Sequence, residues 1–95
     1  MDKHKTVVIF RKWKNNEVIA LFPEEMANDH PAFCSSYQHI GQHGVATPQG
    51  VINETSLAKE EEYQELSQEL SQLGYNLDIR TKYTHKMFSK RVEVA

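Results

Sequence analysis

The chain has 95 residues, of which 39% are hydrophobic and 25% charged, and this length predicts one domain spanning residues 1–95. No apolar run approaches the roughly 20 residues of a bilayer span, and Val7–Phe10 is too short for the apolar region of a secretory signal, so we expect a cytoplasmic protein. The only cysteine, Cys34, excludes a disulfide framework and a multi-cysteine zinc site within one chain.

The net charge of -2 conceals a strong segregation of charge along the sequence. Residues 1–14 and 80–95 each carry a net charge of +4, whereas residues 15–79 carry -10. Such a pattern can create a basic surface that meets phosphates, or it can let the basic ends pair with the acidic middle.

The first predicted element is a β-hairpin. Thr6–Phe10 and Glu17–Phe22 are rich in β-branched and aromatic residues, and they flank a polar turn at Asn15–Asn16. A two-residue turn centred on these asparagines places Arg11 opposite Ala20. The hairpin then has two partly apolar faces.

A third strand is predicted after a polar connection. Pro23 is expected to end the second strand because it lacks a ladder donor, and residues 24–31 form the connection. The third strand lies near Cys34–Ile40, and Gly41 and Gly44 indicate an irregular end, such as a bulge or a close backbone approach.

The C-terminal half predicts a turn, a helix and a strand. Thr47–Gly50 has turn composition, and Val51–Ile52 is interpreted as a short strand. Leu77–Tyr83 alternates like a half-buried strand, and residues 84–95 are interpreted as a basic tail. Between the turn and this strand, apolar residues recur at the spacing of an amphipathic helix: Tyr63, Leu66, Leu70 and Leu73.

These elements predict an α+β fold with a mostly antiparallel sheet and one amphipathic helix on one face. The sheet comprises the N-terminal hairpin, the third strand, the short strand and the strand that follows the helix. Because one helix covers only part of such a sheet, the other face meets solvent or a second chain. We therefore expect a homodimer.

Three sequence blocks stand out along the chain: Phe10–Asn15, Val18–Pro23 and Cys34–Gly44. The most specific part is Gly41–Gly44, which reads Gly-Gln-His-Gly. These blocks resemble a family of small uncharacterised bacterial proteins with no assigned activity. The resemblance implies a cytoplasmic single domain and transfers no catalytic or binding residue.

Reactive side chains cluster in sequence around Cys34. One hypothesis is a metal site with Cys34, His39 and His43 as ligands, and a second is a Cys34 nucleophile with a histidine base. The competing interpretation makes Cys34 a small buried residue and the histidines structural. In a third hypothesis, Gly41–Gly44 binds a phosphate group through backbone N–H groups.

The leading functional interpretation is a non-enzymatic interaction module that needs no cofactor and meets a protein partner or ligand. Its expected surface consists of Cys34, Tyr37, His39, Gly41, Gln42, His43 and Gly44. The main alternative is nucleic-acid binding, in which cations hold phosphates and Trp13 stacks on a base. The residues of this alternative are Arg11, Lys12, Trp13, Lys14, Arg80 and Lys82.

Overall fold

The computed structural model describes residues 5–27, 30–38 and 42–93, and it confirms the α+β class. Within these residues six strands form one sheet, accompanied by three helices. The strands are β1 (Thr6–Lys12), β2 (Val18–Ala27), β3 (His30–Gln38), β4 (Gln42–Ala46), β5 (Ser56–Leu57) and β6 (Leu77–Arg80). The helices are α1 (Pro48–Glu54), α2 (Glu60–Gln72) and α3 (His85–Glu93).

The sheet is an antiparallel meander whose far edge is shared by two short strands. Strands β4, β3, β2 and β1 lie side by side in that order, each antiparallel to its neighbour. The outer edge of β1 pairs in parallel with β6 along Thr6–Ile9, and with β5 at Arg11 and Lys12. Strand β4 therefore lies at one edge, and β5 and β6 lie at the other.

The predicted hairpin is present, but its predicted register is wrong by one residue. The Trp13 N–H donates to the Glu17 carbonyl at 2.8 Å, so the loop has three residues, and Arg11 lies opposite Ile19. Asn16 adopts φ 73° at the third loop position, which is the left-handed conformation that such loops require. Because both faces of the hairpin are apolar, the hydrophobic pattern did not distinguish the two registers.

Strand β2 continues through Pro23 to Ala27, so the prediction that Pro23 ends it is wrong. The pairing of β2 with β3 shifts between Phe22 and Met26, and a proline is tolerated in a strand where the ladder is interrupted in this way. Beyond β3, Gly44 approaches Ser36 closely, since a Cβ on Gly44 would lie 3.0 Å from the serine Oγ. A close approach to the Ser36 side chain therefore accounts for this glycine. The pairing of β3 with β4 has no register shift, so the bulge expected at Gly44 is wrong.

Val51–Ile52 forms part of α1, so the short strand predicted there is wrong. Pro48 occupies the first turn of this helix, where its missing N–H costs nothing, and Val51 is buried. A one-turn apolar pair cannot by itself distinguish a helix from a strand, because both present it to a core.

The predicted amphipathic helix is confirmed as α2. Its C-terminus is closed by the Gly74 N–H on the Ser71 carbonyl and the Tyr75 N–H on the Leu70 carbonyl, and Gly74 has φ 108°. Helix α2 covers one face of the sheet. The resulting α2-side core consists of Val8, Phe10, Ala20, Phe22, Tyr37, Ala58, Leu66 and Leu70.

Residues 85–93 form α3 rather than the expected tail. Met87 is buried against the opposite face of the sheet, and the Arg91 side chain is buried with it. The α3-side core consists of Val7, Ile9, Ile19, Leu21, Cys34, Val51 and Met87. Helices α1 and α3 thus cover the second face, which removes the apolar sheet face on which the expectation of a homodimer depended.

Candidate functional site

Strand β4 is an open edge of the sheet. It pairs with β3 on one side, and among the described residues no strand pairs with its other side. Four of its residues are exposed: Gln42, His43, Gly44 and Val45. The exposed fraction of Val45 is 45%. Proteins normally protect such edges with lysine, proline or a bulge, and β4 carries neither lysine nor proline.

The opposite edge is protected by comparison. Strand β5 has two residues, and β6 carries an ion pair in which the Arg80 guanidinium donates to both carboxylate oxygens of Asp78 at 2.9 and 2.8 Å. Short length and exposed charges both disfavour addition of another strand. Strand β4 is therefore the edge best suited to accept one.

Tyr37 and His43 connect the open edge to α2. The two residues lie opposite each other on β3 and β4, and their rings meet edge to face with centroids 4.8 Å apart. The buried Tyr37 hydroxyl donates a hydrogen bond to the Glu69 carboxylate on α2. This contact fixes β3 and β4 against the helix. His39 and Gly41 of the predicted surface lie outside the described residues.

Cys34 and His43 lie on opposite faces of the sheet. Cys34 is fully buried in the α3-side core, whereas His43 packs on Tyr37 of the α2-side core. Burial raises the pKa of the Cys34 thiol to about 11, although the positive charge of Arg91 opposes this effect. Within residues 5–27, 30–38 and 42–93, no three His, Cys, Asp or Glu side chains are grouped to hold a metal ion. This arrangement does not support the Cys34–His43 pair as metal ligands or as nucleophile and base.

The shifted thiol pKa predicts a loss of stability in alkaline solution. The pKa of Cys34 rises from 9.0 in the unfolded chain to about 11 in the folded protein. The buried neutral thiol makes its full contribution to the free energy of unfolding below the pKa of the unfolded chain. This contribution is lost as the pH rises towards 11, and the free energy of unfolding then falls by up to about 1.4 kcal/mol per pH unit. Urea unfolding at several pH values between about 8 and 10.5 measures this loss. The free energy of unfolding should fall less steeply with pH for Cys34→Ala than for the parent protein. Parallel declines would contradict the buried thiol, because all other titrating groups are common to both proteins.

The structure does not bring the predicted basic residues onto one face. Arg11 donates to Thr55 Oγ1 at 2.9 Å and to the Thr55 and Ile52 carbonyls at 2.7 and 3.1 Å, so it holds the C-terminal end of α1. Lys12 points to the other face, since successive strand residues alternate, and its Nζ lies 2.6 Å from the Glu62 carboxylate. Both cations are engaged within the fold.

Three of the nucleic-acid candidates do share a hairpin-end cleft of about 930 Å³: Lys12, Trp13 and Lys14. Glu17 and Glu54 line the same cleft, so its formal charges balance. Trp13 is half-buried against the α3-side core, whereas Lys82 is exposed and does not line the cleft. The cleft therefore has an aromatic residue but no excess of positive charge.

A second concavity, here called the α2 cavity, lies between α2 and the sheet and measures about 390 Å³. It reaches the first residue of β4, and its apolar wall contains the buried Leu66. Its full lining is Glu17, Val18, Gln38, Gln42, Glu62, Glu65 and Leu66. Sequence reasoning missed this cavity, because it considered only the apolar residues of this helix. The available signal was that these acidic residues share the helix with an inward-facing leucine stripe.

The comparisons with known proteins assign neither a family nor a function to this chain. No family model matches the chain, and neither the curated proteins nor the solved structures contain a match. The resemblance of Gly41–Gly44 to small bacterial proteins accordingly stays a prediction. None of the helices in the described ranges is long and apolar enough to cross a membrane.

Proposed function

We propose that this protein is a non-enzymatic, cytoplasmic binding module that accepts an extended segment of a partner protein as an additional strand along β4. The observation that carries this function is the outer edge of β4, which pairs with no strand in the described part of the chain. Four of the five β4 residues are exposed, and none is charged or a proline. An edge strand offers a regular row of backbone donors and acceptors, and a peptide in extended conformation satisfies them.

The surroundings of β4 suit strand addition because the accepting edge is held in place. Tyr37 joins the adjacent strand to α2 through its hydroxyl, and β3 pairs with β4 over five residue pairs. A preformed edge loses little conformational entropy when a peptide binds, so more of the interaction energy appears as affinity. Side chains of the added strand would alternate between the α2 side and the α3 side of the sheet.

The alternatives have less support from the geometry. A nucleophilic or metal site at Cys34 would need His43, which lies on the opposite face of the sheet. Nucleic-acid binding loses Arg11 to the end of α1, and the ion pairs of Lys12 and Arg80 reduce the charge that the remaining cations present. Strand addition needs only backbone groups that β4 already displays.

Two synthetic nine-residue peptides test this function, one alternating lysine with valine and one alternating glutamate with valine. With about 1 mM peptide, a concentration that detects millimolar dissociation constants, at least one should shift the backbone amide resonances of Gln42–Ala46 and slow their hydrogen exchange. The matched control is the same peptide with N-methyl groups on alternate residues, which blocks one hydrogen-bonding edge. Strand addition is refuted if neither peptide affects β4, or if the N-methylated control affects it equally.

A further inference from the structure

Helix α2 places strong negative charge beside the open edge. It contains Glu60, Glu61, Glu62, Glu65 and Glu69 and no basic residue, so its formal charge is -5. The Tyr37–Glu69 hydrogen bond and the Tyr37–His43 ring contact show that this helix lies over the strands next to the edge. A strand added to β4 therefore meets a negative potential on its α2 side.

The α2 cavity gives this potential a specific receptor. Its apolar wall is formed by Val18 and Leu66, and its carboxylates come from Glu17, Glu62 and Glu65. Lys12 neutralises Glu62 at 2.6 Å. Within the ranges that the structure describes, neither Glu17 nor Glu65 has a cationic partner. Gln42 also lines the cavity, so it opens next to the first residue of β4.

We propose that the strand bound at β4 is basic and places a lysine or arginine side chain in the α2 cavity. This inference rests on the strand addition proposed above and names its partner. Lysine and arginine fit the cavity because each has an apolar stem that can lie along Val18 and Leu66 and a cationic head that can reach Glu17 or Glu65.

The same charge argues against a second copy of this chain as the occupant. Antiparallel pairing of β4 with β4 of another copy would place two α2 helices, each with a formal charge of -5, on the same side of one continuous sheet. Like charges raise the free energy of such an assembly, most strongly at low ionic strength. A basic strand gains from the same field.

The test compares the two alternating peptides by isothermal titration calorimetry and by the amide resonances of β4. The lysine–valine peptide should bind at least about tenfold more tightly than the glutamate–valine peptide, which corresponds to about 1.4 kcal/mol. Its affinity should fall when NaCl is raised from about 50 to about 500 mM, since screening weakens the attraction. Glu65→Gln should weaken lysine-peptide binding about threefold to fivefold. Glu61→Gln, an exposed position on the same helix outside the cavity, is the matched control and should change it less than twofold.

The possible outcomes separate the basic-strand inference from strand addition itself. Equal binding of both peptides along β4 would overturn the basic partner. Equal effects of the Glu65 and Glu61 variants would overturn the α2 cavity as the site of its cation. Both results would leave strand addition in place. No effect of either peptide on β4 would overturn both. Concentration-dependent protection of β4 in the protein alone would identify a second copy as the occupant, and would overturn the basic partner.

Discussion

Replacing Arg91 with alanine is expected to lower the free energy of unfolding by about 3 to 5 kcal/mol, a large fraction of the stability of a domain of this size. Arg91 lies on α3 and is 2% exposed. Its Nε donates to the Pro31 carbonyl at 2.9 Å, Nη1 donates to the Pro23 carbonyl at 2.7 Å, and Nη2 donates to the Tyr83 hydroxyl at 3.0 Å. Truncation would leave these acceptors without a donor and create a cavity, and both effects are costly in a buried site.

The position of these acceptors explains why one arginine has so large an expected effect. Pro23 lies in the irregular part of β2 and Pro31 near the start of β3, so the guanidinium joins α3 to both strands where their ladder is interrupted. The rings of Phe88 and Tyr83 also lie 5.3 and 5.8 Å from its central carbon, within the range of cation–π attraction. The guanidinium therefore anchors α3 to the sheet, as a buried apolar side chain does in other helices.

Urea denaturation of the purified protein measures the effect, with Lys90→Ala as the matched control. Lys90 is the exposed neighbour of Arg91 on the same helix, and its truncation should change stability by less than about 0.5 kcal/mol. Arg91→Lys should recover only part of the loss, because an ammonium cannot reproduce the planar fork of donors. A change below about 1 kcal/mol for Arg91→Ala would contradict the buried anchor.

Arg91 also shows why the sequence failed to predict α3. Helical periodicity is detected from apolar residues, and the two inward positions of α3 are Met87 and Arg91. The other apolar residues of α3, Phe88 and Val92, are exposed, so no apolar stripe marks this segment as a helix. The acceptors of the guanidinium hydrogens are the carbonyls of Pro31 and Pro23, which lie 60 and 68 residues away in the sequence. A local sequence pattern does not contain this information.

Elements with a clear periodicity were predicted correctly, whereas features set by the conformation of one loop residue or by a packing partner were not. The leucine stripe of α2 and the two strands of the hairpin are periodic over short distances. The hairpin register depended on the loop conformation at Asn16, and α1 depended on which apolar surface Val51 meets. Neither choice is encoded in the periodicity of the segment itself.

The interaction surface predicted from the sequence shares Gln42, His43 and Gly44 with the open edge of β4. Cys34–Gly44 does lead into the open edge, but the cysteine and His43 occupy opposite faces because strand residues alternate. Whether β4 is an edge is decided by the order of all the strands, and the α2 cavity by the packing of a helix from the other half of the chain. Such properties belong to the tertiary structure.

Replacing Phe10 with alanine should destabilise the protein by about 3 to 5 kcal/mol, and should lower the melting temperature by about 15 to 30 °C. Phe10 is 1% exposed in the centre of the α2-side core, and its ring stacks on Tyr63 with centroids 4.4 Å apart and an interplanar angle of 9°. The loss combines the transfer energy of a buried ring with the cavity that it leaves. Differential scanning calorimetry measures both the melting temperature and the enthalpy.

A double-mutant cycle separates the Phe10–Tyr63 contact from burial. Phe10→Ala, Tyr63→Ala and the double variant should give a coupling energy of about 0.5 to 1.5 kcal/mol, the usual contribution of a stacked aromatic pair beyond its buried area. The matched cycle uses Phe10→Ala with Phe88→Ala, because Phe88 lies on α3 on the other side of the sheet and should not couple to Phe10. Equal coupling in both cycles would show that Tyr63 does not hold α2 on β1 through this ring. Leu66 and Leu70 would then supply the apolar contacts of α2, beside the polar contacts of Tyr37 with Glu69 and of Lys12 with Glu62.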